Sequence, residues 1–490
     1  MSARHVTTTN KTTSNDYFIG LIALLVCVGA AISVALVILN LANMGFSLTT
    51  MPFLLIVIVD VALVALPFYL VLSGKVVYSN FVRFGCFALA ALMLFINLFV
   101  SSNLTVTSDF LNEQYGGSSG AIEYSVVAQR SADIALPTTS TIRAGIQSTD
   151  TNKSDVEVET KKLASASFTE YSNLSDMIGA TEDKDLDVAV VQSAMLDAYK
   201  EYFPDSFNNL DIVATFKAGT TTAGTGMTNA TVDITKPFSI YISGADVNGD
   251  IDQVARSDSN IIVFIDPVRY KILLVNTPRD YYVQLHGTSG YRDKLTHSGI
   301  YGIDMSVQTL QDLYGINIDY HVRVNFDTLP KLVDSMGGIN VDNPTAFSIW
   351  GNNYAAGNIY LTGDYALMYC RARHDLAGGD NDRGENQQRV IEAIVDRITK
   401  PNVIVHYKDI IQAMSGSFRS NIPPSVITQL VSRQMSLGGH WTIEKTAVTG
   451  TNSQQPTYSM GSQLLSVVIP DQSSVDAVSA QIHDFLNGQG

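Results

Sequence analysis

The chain has 490 residues, enough for more than one domain at the usual size of roughly 100–200 residues per domain. Charged residues make up 16% of it, below the roughly 25% of an average soluble protein, and its formal net charge is −15. The first 100 residues hold four cations and two acids, which leaves 27 cations and 44 acids, a formal charge of −17, on residues 101–490. This composition excludes a wholly soluble protein, a disordered chain and a disulfide scaffold. The acidic bulk also argues against nonspecific nucleic-acid binding.

Three apolar runs in the first 100 residues predict membrane-spanning helices. Residues 17–39 carry no charge, residues 51–73 carry only Asp60, and residues 80–100 carry only Arg83. Each run reaches the ~20 residues that an α-helix needs to cross the hydrocarbon core of a bilayer. The first run is too long for the apolar part of a cleavable signal peptide. Asp60 is either a functional group inside the membrane or, more simply, a hydrogen-bond partner of a neighbouring helix.

The cations around these runs predict their orientation. Two cations precede the first run, the link after it is uncharged, and two cations lie at the second link. Because cytoplasmic loops carry the excess of cations, the amino terminus is predicted to lie in the cytoplasm and everything after residue 100 outside. We therefore expect a cytoplasmic tail of residues 1–16, three transmembrane helices in residues 17–100, and a large outer part.

The outer part divides into two regions by composition. Residues 101–230 are rich in Ser, Thr, Asn and Asp and carry no chemical motif, so we interpret them as an extracellular accessory domain. Within it, residues 186–202 are predicted to form one helix. A Gly- and Thr-rich stretch at 218–229 predicts the junction to the second domain, residues 231–490.

In this second domain short apolar runs alternate with helical patterns. Strands are predicted at 239–242, 260–265, 270–275, 321–326, 441–448 and 464–469, and helices at 302–314, 329–336, 382–399, 425–435 and 475–486. Residues 363–368 are predicted to be helical and residues 369–373 extended. Strands that alternate with helices indicate an α/β fold in which helices flank a central β-sheet.

Charged residues cluster where these strands end. Asp246 follows the first strand in the sequence Gly-Ala-Asp, Arg256 and Asp258 precede the second in Arg-Ser-Asp, and Arg279 follows the third in Pro-Arg-Asp. Each Arg–Asp pair alone is more simply explained as an ion pair. Together, at the ends of elements of one domain, they indicate a phosphate site.

A further group of charged and amide side chains has informative spacing. If the chain is extended at Arg371 and Arg373, both side chains point to the same side. Asp380, Arg383 and Gln387 are spaced i, i+3, i+7, so they share one face of a helix. The spacing therefore directs up to five polar side chains toward one site.

The chemistry of these residue types favours a polyphosphate bound with Mg²⁺. Arginine forks match phosphate oxygens and stay charged at any relevant pH. Mg²⁺ is usually held by one or two carboxylates together with substrate phosphates, a role that Asp246 and Asp258 can fill. The sequence contains no GxxxxGK[ST], HExxH or GxSxG motif, so P-loop, metalloprotease and serine-hydrolase chemistry fit less well. Cys370 has apolar neighbours and is interpreted as a small buried side chain rather than a catalytic thiol.

An ordered set of motifs runs through residues 237–400. It consists of Gly244-Ala245-Asp246, Arg256-Ser257-Asp258, Pro278-Arg279-Asp280, Lys294, His297, Tyr301-Gly302, Asn325-Phe326, Leu332-Val333-Asp334, Gly337-Gly338, Leu361-Thr362-Gly363, Ala366 through Arg373, Asp380, Arg383 and Gln387-Gln388. This set resembles the LytR–CpsA–Psr family of Gram-positive envelope proteins. With the membrane segments and the accessory region, it looks most like the capsule-associated CpsA branch. One departure is Asn386, where the family often has Arg; Arg389 on a neighbouring turn is the expected substitute.

The resemblance implies a phosphotransferase that moves an anionic glycopolymer, here capsular polysaccharide, from a polyprenyl-pyrophosphate carrier to peptidoglycan. It implies Mg²⁺ on Asp246 and Asp258. The pyrophosphate would be held by Arg256, Arg279, Arg371, Arg373, Arg383 and Gln387, with Lys294 as a further contact. The catalytic set implied is Asp246, Arg371, Arg373, Asp380 and Arg383, in which Asp380 would orient an arginine or assist deprotonation of the sugar hydroxyl.

The implied partners are the polyprenyl-pyrophosphate-linked polysaccharide, peptidoglycan, the cytoplasmic membrane and other capsule-synthesis proteins, with no nucleic acid expected for the outer domain. The expected location is the cytoplasmic membrane of a Gram-positive bacterium, as a multi-pass protein with its catalytic domain outside. Two alternatives stay open. One is a membrane regulatory protein, a transcriptional attenuator or modulator of capsule biosynthesis, and the other is a noncatalytic polysaccharide-binding protein.

Overall fold

The chain falls into two compact units. The computed structural model describes residues 14–43, 54, 57–65, 80–115, 122–219, 232–245, 251–373, 376, 379–400, 410, 413–416, 418–437 and 439–489. The first unit comprises Met1–Asn112 and Ile427–Gly438, and the second comprises Glu113–Val426 and Gly439–Gly490.

Apolar helices form the first unit. They include Ser14–Asn43, residues 57–65, and Asn80–Gln114, which continues past the predicted end of the third apolar run. Among the described residues, Ala88–Thr107 is one stretch long and apolar enough to cross a membrane, and Val28–Ala42 is a shorter apolar stretch. The helices are therefore consistent with one membrane anchor. The second predicted run, 51–73, lies largely outside the described residues, and the three-span arrangement stays a prediction.

Polar side chains within this unit bind one another. Asn97 donates a hydrogen bond from Nδ2 to Oδ1 of Asp60 at 3.2 Å. Asn40 donates from Nδ2 to Ser101 Oγ at 2.8 Å and to Thr105 Oγ1 at 3.2 Å. A polar group in apolar surroundings is costly unless it is hydrogen-bonded. The Asn97 contact thus supports the simpler interpretation of Asp60, as a link between helices.

The second unit begins with an accessory domain built on a five-stranded sheet. Its strands are β1 (Ile122–Gln129), β2 (Thr141–Gln147), β3 (Ser165–Tyr171), β4 (Val188–Gln192) and β5 (Leu210–Ala218), and its helices are Lys153–Leu163, Leu174–Glu182 and Ser193–Tyr202. The strand order is β3-β2-β4-β1-β5. The helix predicted at 186–202 is wrong in its first half, because the Val-rich run of β4 is fully buried and pairs with β1 and β2.

The larger domain follows, with a six-stranded sheet at its centre. In chain order its strands are β6 (Phe238–Ala245), β7 (Ser257–Asp266), β8 (Lys271–Asn276), β9 (Tyr282–Val283), β10 (Asp293–Lys294), β11 (Tyr320–Asn325), β12 (Ile339–Asn343), β13 (Phe347–Ile349), β14 (Asn352–Tyr354), β15 (Gly357–Leu361), β16 (Phe418–Ser420), β17 (Thr442–Ala447), β18 (Gly450–Thr457) and β19 (Gly461–Pro470). The helices are Leu295–Ser298, Ile303–Tyr314, Thr328–Ser335, Gly363–Arg371, Asp380–Ile398 and Gln472–Leu486, whereas most of the helix Pro424–Leu437 belongs to the first unit. The central order is β16-β11-β6-β7-β8-β17; β6 is parallel to β11 and antiparallel to β7.

Helices cover both faces of this sheet because β7 is apolar on both sides. Ile262 and Phe264 pack into a core with Phe485 of the last helix. Ile261, on the opposite face, packs into a second core with Ile391 of the helix Asp380–Ile398. Alternate side chains of a strand point to opposite faces, so the apolar run 261–265 of β7 needs cover on both. The predicted α/β fold with a central sheet flanked by helices is confirmed.

The segment that leads to the predicted arginine pair is helical for longer than expected. One helix spans Gly363–Arg371, and the chain becomes extended only at Ala372. The prediction of an extended segment over 369–373 is therefore wrong. Ala366 and Tyr369 are both buried in one cluster, as expected for residues three apart on the same face of a helix.

The accessory domain and the larger domain share a hydrophobic core. Leu196 and Tyr199 of the accessory helix Ser193–Tyr202 pack in one cluster with Ile300 and Met460 of the larger domain. This common core gives that helix a defined position beside the loops of the central sheet.

Candidate functional site

One edge of the central sheet gathers the ends of three neighbouring strands. β6 ends at Ala245, opposite Ser257 at the start of β7, and the end of β8 pairs with the first half of β7. The segments 256–258 and 278–280 therefore meet at this edge. Asp246 follows β6 directly in the sequence, but it lies outside the described residues.

Asp258 is a largely buried carboxylate at this edge, with 13% of its side chain exposed. Its Oδ1 lies 3.1 Å from Nη1 of Arg279 and accepts a hydrogen bond from Thr296 Oγ1 at 2.9 Å. Arg383 donates to the backbone carbonyl of Asp258 at 3.4 Å. Burial favours the neutral acid, but Arg279 and Arg256 outweigh it and hold the pKa of Asp258 below its usual range. Asp258 is therefore ionised at neutral pH.

Asp280 binds three cationic side chains. Its Oδ1 lies 3.0 Å from Lys294 Nζ and 3.5 Å from Arg279 Nε, and its Oδ2 accepts a hydrogen bond from Arg373 Nη2 at 2.8 Å. Burial opposes ionisation, yet Lys294, Arg279 and Arg373 lower the pKa of Asp280 to about 2. The sequence predicts no role for this residue beyond its place in the Pro-Arg-Asp motif. In the structure it fixes the positions of three predicted phosphate-binding side chains.

Arg256 contacts an acidic side chain from the accessory domain. Its Nη2 lies 2.6 Å from Oε2 of Glu201, and Oε1 of Glu201 lies 3.9 Å from Nη2 of Arg279. The next residue, Tyr202, places its ring 4.6 Å from Lys294 Nζ. Burial disfavours the charged guanidinium, but Asp258 and Glu201 raise the pKa of Arg256 and keep it protonated. The sequence offered no local signal for Glu201, because its contacts are over fifty residues away in the chain.

The remaining predicted side chains approach from two helices. Arg371 is the last residue of its helix, so its predicted alignment with Arg373 along an extended strand is wrong. Arg373, two residues later, reaches Asp280 as described above. Asp380 begins the next helix, and its side chain lies outside the described part of the chain.

Gln387 joins this second helix to the sheet. Its Oε1 accepts a hydrogen bond from Ser259 Oγ at 2.7 Å, and its Nε2 donates to the carbonyl of Cys370 at 3.4 Å. The side chain is buried. A positioning role is therefore visible, and a direct phosphate contact of Gln387 stays a prediction.

Asn386 and Arg389 form a local pair. Arg389 donates from Nη1 to Asn386 Oδ1 at 2.8 Å and lies 2.6 Å from Glu385 through Nη2. Asn386 in turn donates to the carbonyl of Tyr369 at 3.3 Å. These contacts tie Arg389 to its own helix, which weakens its expected role as a substitute phosphate ligand.

Two glycines allow the surrounding elements to come close to this edge. A Cβ on Gly384 would collide with the side-chain amide of Asn276, at the end of β8. A Cβ on Gly299 would collide with backbone atoms of Ala255 and Ser257. Both positions thus require the absence of a side chain.

Positive charge is in excess at this edge. Around Asp258 and Asp280 the described contacts collect five cationic side chains, which are Arg256, Arg279, Lys294, Arg373 and Arg383. We call this set the cation cluster. It lies in a protein whose formal net charge is −15. Partial burial reduces screening by water, so the cluster is suited to a compact polyanion such as a diphosphate.

The described residues could hold Mg²⁺ only together with the phosphate oxygens of a bound substrate. Within the described residues, no group of three His, Cys, Asp or Glu side chains is placed to hold a metal ion. Mg²⁺ needs no such group when substrate phosphates complete its coordination. Asp258 is an ionised carboxylate suited to this role, and Asp246 lies outside the described residues. The Mg²⁺ expectation stays a prediction.

Comparison with known proteins gives three results. The LytR_cpsA_psr family model matches residues 210–481, more than half of the chain. Two curated relatives are named polyisoprenyl-teichoic acid–peptidoglycan teichoic acid transferase TagU. The protein of Bacillus mycoides is 32% identical over a match that covers 40% of this chain and 64% of the relative. The protein of Enterococcus faecalis is 34% identical over a match that covers 38% of this chain and 62% of the relative. The chain thus spans less than two thirds of either relative. A crystal structure of Bacillus subtilis TagV matches 52% of this chain and 98% of its own, with 28% identity and a TM-score of 0.44.

Proposed function

The chain belongs to the LytR_cpsA_psr family, and we propose that it is a phosphotransferase that moves an anionic glycopolymer from a polyprenyl-pyrophosphate carrier to peptidoglycan. The observation that carries the proposal is the cation cluster, in which five cationic side chains surround one buried and one largely buried carboxylate at one edge of the sheet. The names of the two TagU relatives support the same class of reaction.

The proposed reaction exchanges one phosphorus–oxygen bond for another. A hydroxyl of peptidoglycan attacks the phosphorus that carries the glycopolymer, the bond to the second phosphate breaks, and polyprenyl phosphate leaves. The hydroxyl proton is lost, and Asp380 is the proposed base or arginine-orienting group. Charge develops on the phosphate oxygens, so stabilisation by fixed cations is the main requirement. Asp280 holds three such cations, those of Arg279, Lys294 and Arg373, in place before the substrate binds.

Mg²⁺ is part of the proposal. Asp246 and Asp258 would hold it together with phosphate oxygens, and when bound it would neutralise negative charge on the diphosphate. The lowered pKa of Asp258 supports this role, because only an ionised carboxylate is a good ligand. The predicted phosphate contacts of Arg371 and Gln387 belong to the same proposal.

Two cargoes fit the charge of the site. The names of the relatives support teichoic acid. The resemblance of the amino-terminal layout to the capsule-associated branch supports capsular polysaccharide. Both are sugar chains on a lipid diphosphate, and we propose that the protein works on such a lipid at the outer face of the cytoplasmic membrane, anchored by its apolar amino-terminal helices.

The test is transfer by the full chain in lipid nanodiscs. A polyprenyl-pyrophosphate-linked glycopolymer, Mg²⁺ and peptidoglycan are added, and release of polyprenyl phosphate is measured. Arg373→Ala should lower the rate about 10²-fold, the usual effect of removing one charge-stabilising donor. Arg130→Ala is the matched control, because Arg130 forms an exposed ion pair with Asp211 on the accessory domain.

Two outcomes would overturn the proposal. One is the absence of polyprenyl phosphate release, and the other is an unchanged rate in Arg373→Ala. A regulatory protein would instead leave polymer attachment intact in cells that carry Arg373→Ala. Parallel reactions with teichoic acid and capsular precursors identify the cargo.

A further inference from the structure

The accessory domain places a carboxylate on the cation cluster. Glu201 lies in the last turn of the helix Ser193–Tyr202. A negative charge at the carboxyl end of a helix is unfavourable, because the helix dipole is negative there. Helix stability therefore does not explain this position, and the contact with Arg256 at 2.6 Å does.

This helix has a defined position. Its apolar side chains, among them Leu196 and Tyr199, are buried in the core shared with Ile300 of the larger domain. Glu201 itself is half exposed, whereas the Arg256 side chain is only 20% exposed. The backbone is thus held at the cluster while the carboxylate keeps room to move away.

Arg256 has capacity for an anion beyond Glu201. Its Nη1 atom is buried and has no hydrogen-bond partner among the residues that the structure describes, while Nη2 is bound to Glu201. An unsatisfied buried donor is costly, and a guanidinium satisfies two donors at once with a phosphate. Arg256 therefore presents a donor that the present contacts do not use.

We propose that Glu201 is a competing carboxylate that occupies the diphosphate site of the free protein and must leave Arg256 and Arg279 when the lipid diphosphate binds. This inference rests on the proposed function. It makes Glu201, from a domain without any catalytic motif, a residue that sets the affinity and selectivity of the site. A diphosphate carries more charge than one carboxylate and reaches both arginines, so it displaces Glu201, whereas weaker anions do not.

The strength of this competition follows from exposure. A partly exposed ion pair contributes little, so its removal should tighten diphosphate binding by about two- to fivefold rather than by orders of magnitude. The effect should decrease as salt is raised, because exposed charges are screened.

The test compares Glu201→Gln with the wild type in the full chain, in nanodiscs with Mg²⁺. Glutamine keeps the shape of the side chain and removes its charge. Calorimetric titration with a short-chain prenyl pyrophosphate should give a Kd about two- to fivefold lower for Glu201→Gln. Asp197→Asn is the matched control: it removes the same charge from the same helix, at a carboxylate that is 74% exposed and paired with Lys200. Its Kd should equal that of the wild type.

The outcomes distinguish failure of the Glu201 competition from failure of the proposed function. An unchanged or higher Kd in Glu201→Gln overturns the competition, and a higher Kd would show that Glu201 positions Arg256 for the ligand. An equal gain in Asp197→Asn also overturns it, since general charge would then explain the effect. If the wild type binds and Arg373→Ala does not, the diphosphate site stands whatever Glu201→Gln shows, and release of polyprenyl phosphate tests the proposed transfer separately. If the wild type binds no prenyl pyrophosphate, both proposals fail.

Discussion

Replacement of Asp280 by Asn should destabilise the second unit strongly. Asp280 is 4% exposed and bound by Lys294, Arg279 and Arg373. Asparagine has nearly the same shape, so the substitution removes the charge and leaves the packing. Three cations would then share a buried position without their common acid.

The lowered pKa of Asp280 gives the expected magnitude. Its pKa is about 2, against 3.8 as the ordinary value, and the difference corresponds to about 2 kcal/mol of folding free energy. Because the folded pKa is lower than the unfolded one, this contribution is fully present above about pH 4 and is lost as the pH falls toward 2. At pH 7 Asp280→Asn should therefore lose about 2–5 kcal/mol, the upper value including the unpaired buried cations.

Tryptophan fluorescence provides the assay. Both tryptophans of the chain, Trp350 and Trp441, lie in the second unit, so their emission during urea unfolding reports on that unit alone. Asp312→Asn is the control, since Asp312 is exposed and paired with His286. It should change the unfolding free energy by less than about 1 kcal/mol.

The pH dependence provides the stricter criterion. The gap in unfolding free energy between wild type and Asp280→Asn should shrink when the pH is lowered from 5 to 3. A gap that is absent at pH 7, or constant over this range, would refute the assignment of Asp280 as the ionised centre of the cluster.

Three further predictions concern other positions. Cys370→Ala should retain transfer activity, and the native thiol should resist alkylation at pH 8 because burial raises its pKa to about 12; rapid modification seen by peptide mass mapping would contradict this. Gly384→Ala should lower kcat about tenfold or more, because its Cβ would push Asn276 and shift the helix that carries Arg383; an unchanged kcat would show that the close approach is unimportant. Asp60→Asn should retain thermal stability and transfer, because an amide oxygen still accepts the hydrogen bond of Asn97, whereas loss of either would indicate that the charge of Asp60 is needed.

Elements with a clear apolar period were predictable from the sequence. The helix expected at 302–314 is found at Ile303–Tyr314, and that expected at 382–399 is found at Asp380–Ile398. The expectation failed at 186–202, where a short buried strand runs directly into an amphipathic helix. Periodicity alone does not separate a five-residue buried strand from a helical turn.

The part of the site that depends on the pairing of neighbouring antiparallel strands was predictable from the sequence. Antiparallel neighbours bring the end of one strand beside the start of the next, which places Arg256, Asp258 and Arg279 together. The remaining contacts of the site depend on packing between segments that are distant in the chain. Glu201 approaches through the shared core, and Asp280 has three partners only because Lys294 and Arg373 fold back onto it.

The common core of Leu196, Tyr199, Ile300 and Met460 has a practical consequence for how this protein is divided. The family match starts at residue 210, the first residue of β5, so a boundary placed there would cut away β1–β4 and uncover Ile300 and Met460. Such a fragment should aggregate, because the newly exposed apolar surfaces of different molecules would bind one another. The amino-terminal sheet therefore cannot be exchanged as an independent module without redesign of the surface of the larger domain on which it rests.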